Sequence, residues 1–198
     1  MTFRSLAGPL AALSLLACRP APEDAEETPT TDTEVEDEPS NDTDEADTNA
    51  DTDETNTCSR TGFTPVAQDS GVLTGMFRYI AQSTLGVPVD VLYFFLDPNQ
   101  GGAQEAGTYA ITDANYKTCA NCIVIDQGCD ENLVNCEKYF LANTGSLVIS
   151  NFGTERFSGI LDNAEFVEVT IDEDLTSTPV IDGEKWCVDD YAFDASVQ

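Results

Sequence analysis

Six cysteines beyond residue 57 carry the chemistry this chain can do: Cys58, Cys119, Cys122, Cys129, Cys136 and Cys187. Thiols in such numbers serve zinc ligation, redox exchange or disulfide bonding. A structural zinc site uses thiolates commonly arranged as two close pairs. The spacing Cys-x2-Cys-x6-Cys-x6-Cys across 119–136 supplies one close pair, and the chain has no His. Cys119-Ala120-Asn121-Cys122 has the spacing of a redox pair, but that chemistry works at a helix N-terminus in a βαβ setting. Here the pair precedes Ile123-Val124-Ile125, a strand. Structural disulfides are the expectation, with no metal and no cofactor. Six cysteines allow 15 pairings, and spacing does not choose among them. The favoured arrangement joins Cys58 to Cys187 end to end and places two bonds inside the 119–136 cluster. Loop-closure entropy assigns the long bridge about 5 kcal/mol and a Cys129–Cys136 bridge about 2.5 kcal/mol.

Without His, no Ser-His-Asp or Cys-His mechanism is available within the chain. None of Lys117, Lys138 and Lys185 stands in a Ser-x-x-Lys frame. Gly101-Gly102 lacks the Lys-Ser/Thr of a phosphate loop. Acid pairs suit glycoside hydrolysis, yet 21 Asp/Glu follow residue 57 and nothing singles out one pair. Asp189-Asp190 and Asp172-Glu173-Asp174 have the oxygens for calcium and read as solvated turns. The expectation is therefore a protein with no catalytic residues. Aromatic side chains offer a different use. Trp186, the only tryptophan, and Tyr191 form the candidate sugar-stacking platform, with Tyr93, Tyr109, Tyr116 and Tyr139 in support. The competing use of Trp186 is packing against the disulfide of its neighbour Cys187.

Charge narrows the partners. The chain carries a net −29, and beyond residue 57 it still has 21 acidic against six basic residues, a net of −15. Nucleic acid binding needs clustered Lys and Arg to neutralise phosphate, and no such cluster exists. Direct adhesion to anionic lipid headgroups is excluded on the same ground.

The N-terminus sets an expectation of how the protein is held. Arg4 and the α-amino group precede an apolar run of 12 residues, Leu6 to Ala17, interrupted by Gly8 and Pro9. A bilayer span needs about 20, so residues 1–17 fit the apolar region of a signal peptide. The run ends in Leu15-Leu16-Ala17-Cys18, which resembles the lipobox of bacterial lipoproteins. The resemblance implies that Cys18 is the lipidated residue and, after cleavage, the new N-terminus. Two or three acyl chains of the palmitate type would make the anchor permanent, because each buried methylene contributes roughly 0.8 kcal/mol. As a whole the chain resembles the acidic-linker lipoproteins of unknown function of myxobacteria-like proteobacteria. The partner implied is a lipid bilayer, with other envelope proteins or glycans beyond it. By the sorting pattern of such lipoproteins, the resemblance implies that Arg19 rather than Asp after Cys18 directs the protein to the outer membrane, on its periplasmic or surface-exposed face.

Residues 18–57 form the expected tether. After Cys18, sixteen Asp/Glu stand against one Arg, with nine Thr, four Pro and no aromatic residue. Such a segment cannot bury enough apolar surface to offset its ordering entropy and is expected to be disordered. Fully extended, it reaches about 130 Å at roughly 3.3 Å per residue.

Residues 58–198 must position everything else. Short β-branched and aromatic runs alternate there with Gly, Pro, Asn and Asp turns, and no long helical period appears. Strands are expected over Val72–Ala81, Val89–Leu96, Gly107–Thr112, Asn121–Asp126, Cys136–Ala142, Leu147–Ile149, Arg156–Leu161, Phe166–Ile171 and Lys185–Phe193. Val89–Leu96 is the most apolar and is expected to lie centrally, buried on both faces near its end. About nine strands at this spacing predict an all-β domain, a two-layer antiparallel β-sandwich, with a closed barrel as the alternative.

Overall fold

The computed structural model describes residues 57–112 and 115–198. The signal peptide, Cys18 and the acidic tether expected from sequence lie outside the described residues. The described chain is nearly all β, in eleven strands: β1 Arg60–Thr61, β2 Ala67–Leu73, β3 Met76–Gln82, β4 Val89–Leu96, β5 Gly107–Ala110, β6 Asn121–Cys129, β7 Lys138–Phe152, β8 Arg156–Ile171, β9 Ser177–Pro179, β10 Lys185–Val188 and β11 Tyr191–Ser196. A 3-10 turn at Pro98–Gln100 is the sole helical element among the described residues.

The strands belong to one hydrogen-bonded sheet, ordered β1-β10-β8-β7-β6-β4-β3-β2, with β5 on β7 and β9 and β11 on β8. All ladders are antiparallel except β1 with β10, so the sheet is mixed. Expected pairs of short strands prove to be single long ones. The predicted strands at Cys136–Ala142 and Leu147–Ile149 are both β7. Those at Arg156–Leu161 and Phe166–Ile171 are both β8. The turn expected at Asn143-Thr144-Gly145 is a set of register shifts between Ala142 and Ser146, with Gly145 at φ +116°. Bulges of this kind bend a strand without ending it. The predicted strand Val72–Ala81 is instead a tight hairpin. Thr74 and Gly75 both take positive φ, 51° and 87°, as a two-residue turn between twisted strands requires.

Bending β7 and β8 folds the sheet over itself, and aromatic rings fill the space between. Phe193 of β11 lies 5.1 Å from Phe94 and 5.4 Å from Tyr79, although β11 neighbours neither β3 nor β4 in the sheet. Phe157 of β8 stacks on Phe193 at 4.9 Å and meets Phe77 of β3 at 4.7 Å. Tyr79, Phe94, Phe140, Phe157, Phe166 and Phe193 are all fully buried. Gly159 makes room for this packing: a Cβ there would collide with the Val148 carbonyl and the Phe193 ring. Two hydroxyls enter the core and satisfy each other, Tyr79 and Tyr191 at 2.8 Å, with Tyr79 also donating to Gln68 Oε1 at 2.8 Å. Burial pushes both phenols up, Tyr191 to about 12.

The fold stops short of a barrel. Just past β11, Val197 forms an isolated bridge with Ser70 of β2, supported by the Gln198 N–H to the Ser70 carbonyl at 2.9 Å and by Ser70 Oγ donating to the Ser196 carbonyl at 3.0 Å. The six cysteines form three disulfides: Cys58–Cys187, Cys119–Cys122 and Cys129–Cys136. The first ties the start of the domain to β10, where β1 pairs with it.

Phe157→Ala is expected to lower the unfolding free energy by about 3–5 kcal/mol, because the cavity opens where both layers meet. Replacing Cys58 and Cys187 together by Ala is expected to cost about 5 kcal/mol of loop-closure entropy. Urea unfolding of the full-length chain checks both. A loss under about 1 kcal/mol for Phe157→Ala contradicts the folded-over core.

Candidate functional site

The ring-filled interior uses one face of the sheet. The opposite face of β4, β6, the start of β7 and the C-terminal half of β8 is largely apolar as well, with Asp126 on β6 and Arg78 on the adjoining β3 as its charged positions. Strand alternation sends Tyr93 and Phe95 outward from β4, Val124 and Asp126 from β6, Tyr139 from β7 and Ile171 from β8. This accounts for the burial of β4 on both sides, as its sequence predicts. Water is kept off the face by two loops. Residues 130–137 bring Leu133 over Tyr93 and Phe95, and residues 115–120 bring Tyr116. A groove of about 450 Å³ remains, lined by these side chains and by Arg78 at the β3 side.

Both loops are fastened. The Cys129–Cys136 disulfide closes the first. Inside it, the Asp130 carboxylate accepts from Asn135 Nδ2 at 2.6 Å and from the Asn132 N–H at 3.0 Å. Those bonds, Asn135's first, pull the Asp130 carboxyl below its ordinary range. In the second loop, Cys119 and Cys122 are bonded, and the Tyr116 N–H donates to Ser177 Oγ at 3.0 Å. Lys117 Nζ reaches Asp174 at 2.9 Å, which lowers that carboxyl to about 2. Disulfides at the rims make the groove preorganised.

Aromatic faces and one carboxylate define its chemistry. Tyr93 stacks on Phe95 with centroids 5.3 Å apart and planes 15° off parallel. Tyr116 stands edge-on to Phe95 at 6.1 Å and 89°. Asp126 sits between Val91 and Tyr139 in the ladder. Burial alone raises its carboxyl to about 7. Burial and then the Asp126 charge push Tyr93 to about 12 and raise Tyr116. Among the described residues, Asp126 has no side-chain hydrogen bond and no ion pair.

Other candidate residues fall elsewhere. Trp186 and Tyr191, the expected sugar-stacking pair, are 6% and 5% exposed and belong to the core. Trp186 packs on Phe140 at 5.7 Å and donates its indole N–H to the Gly62 carbonyl at 2.8 Å. The Arg60 guanidinium covers the ring at 5.2 Å. Neither face is open to a ligand, so this pair is no platform. Tyr109 sits on β5, its hydroxyl donating to the Glu105 carbonyl at 2.9 Å. Tyr93, Tyr116 and Tyr139 do come together, in the groove. Asp126 lies near Cys129 and Cys136, but those sulfurs are bonded to each other and offer no thiolate to a metal. Of the two acidic runs, Asp174 is held by Lys117 and Thr176. Asp189 and Asp190 are exposed, with carboxylate oxygens within 4.8 Å of each other and of Asp162.

Arg78 and Asp126 escaped sequence reasoning because an outward position on a strand ordinarily means a solvated one. Asp126 does carry a signal in retrospect: it extends the alternation of Val124 on a strand whose outward side is covered.

The raised Asp126 carboxyl has a stability consequence. Folded, it holds its proton to about pH 7; unfolded, it releases it near 3.8. In that window the folded chain binds more protons, so stability falls as pH rises through it. Asp126→Asn removes the cost. The variant's advantage over wild type is expected to grow by on the order of 3–4 kcal/mol between pH 4 and pH 8. Denaturant curves at both pH values check it, and a flat difference contradicts the buried placement.

No protein-family model matches this chain, and no curated protein and no solved structure matches it either. The functional reading therefore rests on the residues and their geometry.

Proposed function

We propose that this chain is a lipid-anchored protein of a bacterial envelope whose β domain is a non-catalytic binding module. The observation that carries the binding reading is the groove: Tyr93, Phe95, Tyr116 and Tyr139 around Asp126, between two disulfide-tied loops. Concave, largely apolar sites with a few convergent polar groups are where small ligands bind. The anchor reading is supported by Leu15-Leu16-Ala17-Cys18 after a short apolar run. An acidic, aromatic-free stretch follows, suited to hold the domain off the outer membrane. Exported domains are also where structural disulfides persist.

A second reading, a carbohydrate-binding module displayed on the cell surface, is favoured by the half-buried Tyr116 and Tyr139 on one groove, with the buried Tyr93 behind them, since sugar rings stack on exposed aromatic faces. Its residues are Tyr93, Tyr116 and Tyr139 and no longer Trp186 and Tyr191.

Two experiments test these readings. Cells fed an alkyne-tagged palmitate are expected to label the wild-type protein and not Cys18→Ser. The variant is expected in the soluble fraction or as an unprocessed precursor. A labelled, processed, membrane-bound Cys18→Ser protein removes the anchor. For the carbohydrate reading, a glycan array is expected to yield ligands whose binding Tyr116→Ala weakens by about tenfold, matching a stacking contribution of 1–2 kcal/mol. An array with no ligand removes it.

A further inference from the structure

Asp126 poses a problem that the groove solves only in part. Asp126 is half-buried in the groove wall, and a carboxylate partly withdrawn from water favours taking a proton or meeting a cation. The protein supplies no cation. The groups that face Asp126 are Tyr93 from β4, Tyr116 from the 115–120 loop, Tyr139 from β7 and the Cys129–Cys136 disulfide. Arg78 enters the same groove from β3, but it stands opposite Phe95 in the ladder, whereas Asp126 stands opposite Val91 and on the next strand. Its charge reaches the Tyr93 hydroxyl and forms no ion pair with Asp126. The negative end of the groove is thus left open to an incoming charge.

We propose that the groove binds a small organic ammonium ion, its charged head against the Asp126 carboxylate and its hydrocarbon on the rings of Tyr93, Phe95 and Tyr116. The proposal rests on the binding-module reading and names its ligand class. Three properties of the site select this chemistry. First, aromatic faces attract cations through their quadrupoles, and the attraction grows when the cation is desolvated. The half-buried Phe95 and the edge-on Tyr116 present such surfaces beside a carboxylate, with the buried Tyr93 stacked on Phe95. Second, a metal ion is a poor occupant. Calcium and magnesium require several oxygen ligands, and here one carboxylate is accompanied by phenols and a cystine. Third, the domain's net −15 raises the local concentration of any cation around it. A cavity of about 450 Å³ accommodates a small molecule. Arg78 at the far side suits an acceptor oxygen at the other end of the ligand and so fixes its direction.

The test compares hexylammonium with its neutral counterpart 1-hexanol by isothermal titration calorimetry on the purified full-length chain, with a neutral β-glucan hexasaccharide as a third probe. At pH 8 hexylammonium is expected to bind at least about tenfold more tightly than hexanol. Asp126→Asn is expected to erase that preference by weakening hexylammonium about tenfold. Tyr116→Ala, on a loop outside the core, is expected to weaken hexylammonium by several fold. Lowering the pH to 5 protonates Asp126 and is expected to reduce hexylammonium affinity by about tenfold or more. Equal affinity for hexylammonium and hexanol, or a preference that survives in Asp126→Asn, overturns the ammonium reading and leaves a binding groove in place. Binding of the hexasaccharide alone, lost in Tyr116→Ala, overturns it in favour of the carbohydrate module. If none of the three probes binds, the ammonium proposal falls, and the groove as a small-molecule site falls with it.

Discussion

The contact between Phe157, Phe193, Phe94 and Tyr79 is the constraint on which the domain depends. Phe157 and Phe193 come from the paired strands β8 and β11, Tyr79 and Phe94 from the paired strands β3 and β4, and the two pairs are not neighbours, so they meet only if the sheet turns back on itself. The bend lies in β7 and β8, strands of 15 and 16 residues whose pairing slips at Ala142–Ser146. Each half of β7 and β8 then contributes to a different layer. The apolar area covered this way is the main favourable term in folding. The single bridge between Ser70 and Val197 marks where the return stops.

Using one face of the sheet for this interior creates a second demand. β4 and β6 are apolar on both sides, and their outward residues need cover. No further strand layer is present among the described residues; two short loops do the work. A short loop has little core of its own and must be held by other means, which is the task of Cys119–Cys122 and Cys129–Cys136. The cover is incomplete, and the gap between the loops is the groove. Its position is a result of packing economy: the site lies where the sheet needs shielding and the loops are too small to finish it.

The acidity of the chain acts at two scales. Over the surface it favours solubility and draws cations. At Asp126 a single half-buried carboxyl is held where water solvates it poorly, and the aromatic groups around it feel the charge. The Arg60 stack on Trp186 and the pairing of Lys138 with Glu168 and Glu184 use two of the few basic side chains. Beside the groove, Lys117 is taken up by Asp174, and Arg78 lines the groove itself.

Strand content was legible in the residues, since alternation and β-branched runs are local properties. So was the double burial of Val89–Leu96, which has too few polar positions for a half-solvated strand. The halves of β7 and β8 were each visible, but their continuity was not. A bulge at Asn143-Thr144-Gly145 and a turn there have the same local composition, and only pairing with β8 distinguishes them. The pairing of six cysteines among 15 alternatives likewise waits on which strands lie together. The role of each aromatic residue is the clearest case. Trp186 and Tyr191 have the chemistry of a ligand platform and are sealed in the core, while Tyr93, Tyr116 and Tyr139, up to 46 positions apart, converge in the groove. Side-chain type is written in the sequence, but whether a ring meets water depends on which layer lies over it, and that is a property of the folded sheet alone.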